Sequence, residues 1–288
     1  MPWLIALVVS LAWLFGPTIE HLVGEWGTSA DASYGLVLAV VACAIVWQRR
    51  SSVAQIAAED SRLRPLGLLL FAAGLLLFLA GQLAADVFVS RVSLVVVLAG
   101  IVWYCAGVAA LRQLSAPFAF LLIAIPLPAL VVNAITLPLQ LVASRIAELT
   151  LTALSVPVFR EGNLLALPSS TLEVAEACSG LRSLVSLAAI AAMLAWTMRR
   201  GATARAVLVA STVPIAVVMN GLRIAVTGLM VESWGPAFGK GGWHELTGWL
   251  TFVASLAVLL AVKRVLTARR WMGQKRSTRT AREGLAAA

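Results

Sequence analysis

Charged residues are scarce in this sequence, and their scarcity excludes an ordinary soluble protein. Only 12% of the 288 residues are charged and 61% are hydrophobic, with a mean hydropathy of +0.95. Soluble domains carry about 25% charged and about 45–50% apolar residues. The sequence therefore predicts a polytopic membrane protein. Its net charge of +9 must be interpreted from where the basic residues lie, and it predicts no nucleic-acid partner.

Histidine and cysteine are also rare, which limits the kinds of site the chain can build. The two histidines are His21 and His244, and the three cysteines at positions 43, 105 and 178 have neither metal-type spacing nor an obvious disulfide pairing. The sequence therefore predicts no metal and no cofactor. The N-terminal run PWLIALVVSLAWLFG lacks a basic segment before it and a convincing cleavage site after it. We interpret it as a first membrane helix and not as a signal peptide.

Apolar runs of about membrane-spanning length, which is about 20 residues, recur along the chain. Residues 133–156 carry Asn133, Arg145 and Glu148 among apolar residues, and they predict an amphipathic helix in the membrane interface, with a tilted ninth span as the alternative. Residues 157–177 contain Pro, Gly and Asn around short alternating runs, which predicts an extended or hairpin-like excursion outside the bilayer. The predicted spans are 2–16, 34–48, 65–83, 87–111, 114–132, 179–198, 204–222 and 244–262.

The basic residues are unevenly distributed, and this asymmetry orients the chain. Segments 49–64, 112, 199–205 and 263–282 hold 16 of the 22 basic residues and few of the acidic ones. The positive-inside rule places these segments in the cytoplasm. We therefore predict an all-α polytopic membrane protein of about eight transmembrane helices. Both termini lie inside, an outer-face excursion precedes the helix of Cys178, and the basic tail is cytoplasmic and partly disordered.

Three polar residues, Cys178, Arg223 and His244, lie near the predicted outer ends of successive helices. They are 21, 18 and 19 residues from a cytoplasmic basic residue on their own helix. At about 1.5 Å per residue these separations are about 31, 27 and 28 Å, close to a hydrocarbon thickness of about 30 Å. The spacing therefore permits, without requiring, a Cys–Arg–His cluster at one depth near the outer surface.

Such a cluster has the groups that acyl transfer through a thioester needs. A helix N-terminus and a nearby cation lower the pKa of a cysteine thiol and so favour the nucleophilic thiolate. Arg223 can stabilise that thiolate or an oxyanion, and His244 can move protons. Each residue also has a structural interpretation: Cys178 as a small buried residue, Arg223 as a side chain reaching the lipid headgroups, and His244 as part of an aromatic belt.

Neighbours of these residues supply further candidates. Glu176 and Arg182 can form a capping and ion-pair set, because Cys178 and Arg182 are four residues apart on one helix face. Whether this pair only braces the turn or also contacts substrate stays open at this point. The full set of supporting candidates is Glu176, Ser179, Gly180, Arg182 and Asn220.

Three short motifs in a fixed order resemble those of the exosortase/archaeosortase family. They are EACSGLRSL, NGLRIAV about 40 residues later, and WHELTGW at the start of the last membrane helix. The preceding stretch IPLP…LPLQLVAS…REGNLLAL is also similar to that family. The resemblance covers about residues 114–262, and its cysteine motif is the most specific part. It divides the chain into N-terminal transmembrane helices (1–113), a catalytic core (114–262) and a basic cytoplasmic tail (263–288), with no fused accessory domain expected.

The resemblance implies a membrane-embedded cysteine transpeptidase of the cell inner membrane with its site facing the periplasm. Its substrates would be secreted proteins that carry a C-terminal sorting signal: a motif of the Pro-Glu-Pro type, a transmembrane helix and a basic cluster. Cys178 would be the acyl-thioester nucleophile, with Arg223 and His244 as the other catalytic members, and the acyl group would pass to a membrane lipid or another acceptor. Archaeal relatives typically have arginine at the third position, so His244 implies a bacterial-type enzyme. It also leaves open whether this position moves protons or stabilises an oxyanion.

Two other function classes remain possible from the sequence. One is a membrane protease that ends in hydrolysis, which differs in leaving no adduct on the product. The other is a non-enzymatic transporter or scaffold for surface polysaccharide export. A transporter needs polar residues at the membrane midplane, and the predicted spans 65–83 and 179–198 offer few.

Overall fold

The computed structural model describes residues 2–29, 32–59, 64–174, 181–239 and 241–286, most of which are helical. Among these residues, seven helical segments are long and apolar enough to cross a membrane, namely α1 to α4, α6, α8 with α9, and α10, while α5 and α7 are shorter apolar helices. This confirms an all-α polytopic membrane protein. The helices are α1 Pro2–Thr28, α2 Tyr34–Glu59, α3 Arg64–Leu83, α4 Val87–Gln113, α5 Ser115–Ala124, α6 Ala129–Ala153, α7 Leu181–Thr197, α8 Ala202–Ala210, α9 Thr212–Trp234 and α10 Gly242–Ala286.

The chain forms two compact units, Met1–Ala129 and Leu130–Ala288. In the first unit, α3 and α4 pack closely because α3 has a glycine at every seventh position. A Cβ on Gly67 would lie 2.4 Å from the backbone nitrogen of Tyr104, and one on Gly74 would lie 2.7 Å from Val97 Cγ2. Small residues let membrane helices approach closely where lipid supplies no hydrophobic driving force. The two helices are therefore packed backbone against backbone.

The two ends of the first unit carry different charges. At one end, Arg49 donates to the carbonyl oxygen of Gln113, and Gln113 Nε2 donates to Ser52 Oγ at 2.8 Å. At the other end, Glu25 forms a 2.5 Å ion pair with Arg91. Arginines 49, 50 and 112 thus lie at one end of the unit, whereas Arg91 at the other end is paired with Glu25.

The predicted span 114–132 is interrupted in the structure. Helix α5 ends at Ala124, and its C-cap Ile125 has extended backbone angles (φ −77°, ψ 121°). The reason is the sequence IPLP, because a residue before proline is disfavoured in the α region. Pro126 and Pro128 therefore separate α5 from α6, and α5 alone, with 10 residues, is about 15 Å long.

Helix α6, in the second unit, is one continuous helix over the segment that we expected to lie in the interface. Its 25 residues are long and apolar enough to span a membrane, which is the alternative that the sequence left open. The helix ends in a Schellman motif, in which Ser155 adopts a φ of 61° and the Val156 N–H donates to the Leu151 carbonyl at 3.0 Å. This motif turns the chain from α6 into the segment that follows.

Residues 157–174 form a small antiparallel sheet of strands β1 Phe159–Glu161, β2 Leu164–Ala166 and β3 Thr171–Glu173, in the order β1-β2-β3. The extended, hairpin-like excursion predicted here is therefore present. Gly162 and Asn163 form the two-residue connection between β1 and β2, and Gly162 has a φ of +62°, a value that glycine adopts without strain.

The sheet packs against α6 and α9 in one hydrophobic cluster. The buried members are Ala143, Ala147, Leu151, Leu165, Leu167, Val174, Ile224 and Ala225. Gly221 of α9 lies against Ile146 and Ala143 of α6, while Gly228, further along α9, lies against Leu151. Helices α6 and α9 therefore run in the same direction, and the sheet lies toward their C-terminal ends.

Several helix ends differ from the predicted span boundaries. Helix α9 continues to Trp234, well beyond the predicted end at residue 222, and stops where Gly235 takes a φ of 100°. Helix α10 continues through the basic tail to Ala286, where we expected partial disorder. The apolar window that meets the requirement for a span ends earlier, at Ala268.

Candidate functional site

Arg223 lies within α9 and not at its end. Asn220, one turn before it, is 4% exposed, and Thr227, one turn after it, is 9% exposed. Arg223 itself is partly buried, and both Arg223 and Asn220 have interaction partners. Positions 220, 223 and 227 share one face of a helix. The structure thus places Arg223 in a polar stripe of α9 inside an otherwise apolar helix.

The guanidinium of Arg223 lies against the backbone of α10. A Cβ placed on Gly248 would be 3.5 Å from Arg223 Nη1 and 3.9 Å from Cζ, and no other atom would come within 4 Å apart from its helix and chain neighbours. The adjacent Thr247 is 8% exposed. A methyl group at position 248 would therefore just touch the guanidinium, whereas a larger side chain could enter the space that the guanidinium occupies.

The backbone of His244 lies in the first turn of α10, which begins at Gly242. It precedes Gly248 by four residues, so positions 244 and 248 share a helix face about 6 Å apart along the axis. The fold therefore brings the start of α10 and the Arg223 segment of α9 onto neighbouring helices, an arrangement that the sequence spacing permits without requiring it.

Cys178 lies outside the described residues, and so do Glu176, Ser179 and Gly180. Their predicted roles stay predictions. Arg182, in the first turn of α7, is exposed and has an interaction partner.

The last described residue before the cysteine segment, Val174, is held firmly. Its N–H donates to the Asn163 carbonyl at 3.0 Å, and its own carbonyl accepts from Asn163 Nδ2 at 3.2 Å. The Val174 side chain is buried in the cluster that contains Ile224 and Ala225, the two residues after Arg223. The chain therefore enters the cysteine segment from a fixed point beside the Arg223 region of α9.

Polar contacts also fix the sheet on its supporting helices. Glu232, near the end of α9, accepts from the Ser169 N–H at 3.2 Å and from Ser169 Oγ at 2.7 Å. Glu148 of α6 accepts from Arg160 Nε of β1 at 2.8 Å and from Arg145 at 3.1 Å. These contacts tie the β2–β3 turn to α9 and β1 to α6.

Sequence reasoning missed Asn163, Glu232 and Gly248. The Gly-Asn pair did signal a turn between two short strands, but the bond from Asn163 to Val174 depends on the pairing of β2 with β3. Gly248 gives no signal at all in the sequence, because its role exists only once α9 lies beside it. Among the described residues, no three His, Cys, Asp or Glu side chains are grouped so that they could hold a metal ion.

A family model described as transmembrane exosortase (Exosortase_EpsH) matches residues 26–261 of the chain. The match begins within α1 and ends within α10, so it includes the N-terminal helices that the sequence motifs alone did not cover. Comparison with curated proteins and with solved structures gives no match.

Proposed function

Because the chain belongs to the transmembrane exosortase family, we propose that it is a membrane-embedded cysteine transpeptidase. It cleaves secreted proteins at a C-terminal sorting signal, which consists of a Pro-Glu-Pro type motif, a transmembrane helix and a basic cluster. The acyl group passes through a thioester on Cys178 to an acceptor at the membrane. The protein lies in the inner membrane, with this site facing the periplasm.

The observation that carries the proposal is the approach of Arg223 to α10 one turn from His244. An arginine inside an apolar helix is costly and is retained mainly where it has a function. Here it lies 3.5 Å from the Cβ position of Gly248, on the helix face that position 244 shares. Two of the three candidate catalytic positions are therefore on adjacent helix surfaces.

Covalent geometry limits where the third position can be. Cys178 follows Val174 by four residues and precedes Leu181 by three. An extended chain advances at most about 3.5 Å per residue, so the Cα of Cys178 lies within about 14 Å of Val174 and about 11 Å of Leu181. Val174 packs with Ile224 and Ala225. We propose that Cys178 acts beside Arg223, because the chain enters the cysteine segment from Val174, which packs against the two residues after Arg223.

The roles follow from the chemistry of the three groups. The Cys178 thiolate attacks the scissile carbonyl carbon, and the Arg223 guanidinium donates hydrogen bonds to the oxyanion that forms. His244 gives a proton to the departing amine, which releases the C-terminal helix of the substrate. An acceptor nucleophile then attacks the thioester, gives its proton to His244 and regenerates the thiolate.

Replacement of the nucleophile tests the proposal. In cells that contain a tailed substrate, Cys178→Ala and Cys178→Ser should leave the substrate at full length in the membrane, because serine without an activating base is a poor nucleophile. The matched controls are Cys43→Ala and Cys105→Ala, since both thiols are exposed in the first unit. Processing at the normal rate by Cys178→Ala would overturn the nucleophile assignment.

The mature product distinguishes transfer from hydrolysis. Transfer leaves a C-terminal adduct on the processed protein, whereas hydrolysis leaves a free carboxylate. Mass spectrometry of the C-terminal peptide separates the two. We expect the adduct, and a free carboxylate alone would reassign the enzyme as a hydrolytic membrane protease.

A further inference from the structure

The small sheet has a free edge on the strand that leads into the cysteine segment. Leu167 and Ser170 exchange both main-chain hydrogen bonds, at 2.8 and 3.3 Å, and Val174 donates to Asn163. In an antiparallel pair, hydrogen-bonded and non-hydrogen-bonded residues alternate. With the register Leu165↔Leu172, the N–H and C=O of Leu172 therefore face β2, whereas those of Thr171 and Glu173 face away from it.

This outer edge of β3 is accessible. Thr171 and Glu173 are both exposed, and within the described part of the chain no main-chain hydrogen bond is formed on that side. The opposite edge of the sheet is less suited to pairing. By the same alternation, Arg160 is the only residue of β1 whose N–H and C=O face away from β2. Its side chain is bonded to Glu148 and to the Gly162 carbonyl.

We propose that the outer edge of β3 binds the Pro-Glu-Pro segment of the substrate as a fourth, extended strand. This inference rests on the proposed function and specifies how that site receives its substrate. Addition of a strand to a sheet edge uses main-chain hydrogen bonds for affinity. Because β3 ends at Glu173, five residues before Cys178 in the sequence, a peptide held on this edge lies beside the strand from which the chain enters the cysteine segment.

A Pro-Glu-Pro peptide can form main-chain hydrogen bonds on one side only, so it can bind at the edge of a sheet but not in its interior. Proline has no N–H and is restricted to φ values near −65°, so it occurs in sheets only on edge strands with its nitrogen facing away from the partner. Residues two apart in a strand present their main chain to the same side. Both prolines therefore face outward, while the N–H and C=O of the glutamate between them face β3.

Thr171 and Glu173, the two residues of β3 whose N–H and C=O face away from β2, are not equivalent partners for that glutamate. Like charges placed opposite each other across a strand pair are destabilising. A substrate glutamate opposite Glu173 would meet a carboxylate, whereas one opposite Thr171 would meet a hydroxyl. The peptide therefore pairs antiparallel to β3, with its glutamate opposite Thr171.

Proline replacement of one edge residue tests the proposal. Thr171→Pro removes the N–H that faces the substrate and leaves the β2–β3 hydrogen bonds intact, because position 171 does not bond to β2. In the full-length enzyme we expect a rise of about tenfold in the KM for a Pro-Glu-Pro substrate, the order that loss of a hydrogen bond produces. The comparison variant is Thr171→Ala, which removes the hydroxyl but keeps the N–H, so the KM of Thr171→Pro should lie about tenfold above that of Thr171→Ala.

A binding measurement keeps the test decisive if Thr171→Pro fails to fold. In a Cys178→Ala background, p-benzoylphenylalanine at position 171 should form a photo-cross-link to the substrate. The same group at position 159, on the opposite edge strand and also exposed (Phe159 is 70% exposed), should form little. Equal cross-linking from both positions, or a cross-link between two copies of the enzyme in place of one to substrate, would overturn the proposal.

The two levels of the hypothesis fail in different ways. If the unmodified enzyme does not process a tailed substrate, the proposed function is wrong. If it does, and Thr171→Pro has the same KM as Thr171→Ala, the transpeptidase proposal stands and the added-strand mode of binding is overturned.

Discussion

Arg223 shows how a single charged residue depends on its neighbours in a membrane helix. Its guanidinium lies over the backbone of Gly248 and is flanked on its own helix by Asn220 and Thr227. A planar, permanently charged group in such a setting can hold a fixed orientation toward a developing oxyanion. The shape of the group therefore matters as much as its charge.

Replacement by lysine separates shape from charge. Arg223→Lys keeps a positive charge but loses the planar fork of donors, and we expect substrate processing to slow by about 10²–10³-fold, the range found when an oxyanion donor is removed. The rate is measured by following loss of the full-length substrate in membranes. Arg145→Lys is the matched control, because Arg145 is a largely exposed arginine of the same unit. A normal rate for Arg223→Lys would show that only charge is needed.

The contact between Arg223 and α10 can also be tested by substitutions at Gly248. The Cβ of an alanine would meet Arg223 Nη1 at 3.5 Å, an ordinary van der Waals distance, so Gly248→Ala should process substrate at close to the normal rate. Gly248→Leu would fill the space of the guanidinium and should lower the rate about as far as Arg223→Ala does. Gly24→Leu serves as the control, because nothing lies within 4 Å of that Cβ position. An unchanged rate for Gly248→Leu would contradict the role of this contact.

At the residue scale the sequence predicted the charged group but not its support. Arg223 is noticeable because arginine is rare in an apolar run, and its place inside α9 agrees with the apolar residues that follow it. Gly248 is one of 21 glycines and has no distinguishing pattern. Its role comes from a contact between α9 and α10, and the local periodicity of the sequence does not reveal such a contact.

The element that precedes the cysteine segment is a small sheet, and its last strand leads into that segment. Asn163 occupies the turn after β1, and its main chain and its side chain both bond to Val174 at the end of β3. This double contact fixes the direction in which the chain leaves the sheet. In the proposed mechanism, this contact would affect the position of Cys178 and not the chemistry itself.

Loss of the Asn163 side chain should therefore affect turnover more than binding. Asn163→Ala removes the bond to the Val174 carbonyl, and Asn163→Asp removes the donor while keeping the size of the side chain. We expect both to lower kcat by about tenfold with little change in KM, since a small displacement of a reacting group is costly. Detergent-solubilised enzyme assayed over a range of substrate concentrations gives both constants. A normal kcat for both variants would exclude this positioning role.

Helix boundaries were the least predictable elements, for local reasons. The break between α5 and α6 follows from Pro126 and Pro128, which the sequence displayed inside an otherwise apolar run. Helix α9 passes its predicted end because the residues after Arg223 are apolar, and it stops only at Gly235. Hydropathy predicts that a span exists more reliably than it predicts where its helix ends.

At the scale of a whole unit, the helices of the second unit connect the small sheet with the basic segments. In the second unit, α6 and α9 run in one direction, with the sheet toward their C-terminal ends. Helix α7, at 17 residues, is at the lower limit of spanning length and leads to the basic turn at 199–205. Helix α10 likewise leads from the His244 end to the basic residues after position 263. The sheet and the basic turn are therefore on opposite ends of this unit.

Cysteine labelling tests this orientation in the membrane. In a chain whose three native cysteines are replaced by alanine, Phe159→Cys places a thiol on the exposed surface of the sheet and Gly201→Cys places one in the exposed turn before α8. A membrane-impermeant maleimide added to intact spheroplasts should label position 159 and reach position 201 only after permeabilisation, because the positive-inside rule keeps the basic turn in the cytoplasm. The reverse pattern would put the sheet and the start of α10 in the cytoplasm and would remove the outer-face site. Labelling of both positions from outside would mean that α7 does not cross, and Cys178 would then lie at the same membrane face as the basic turn.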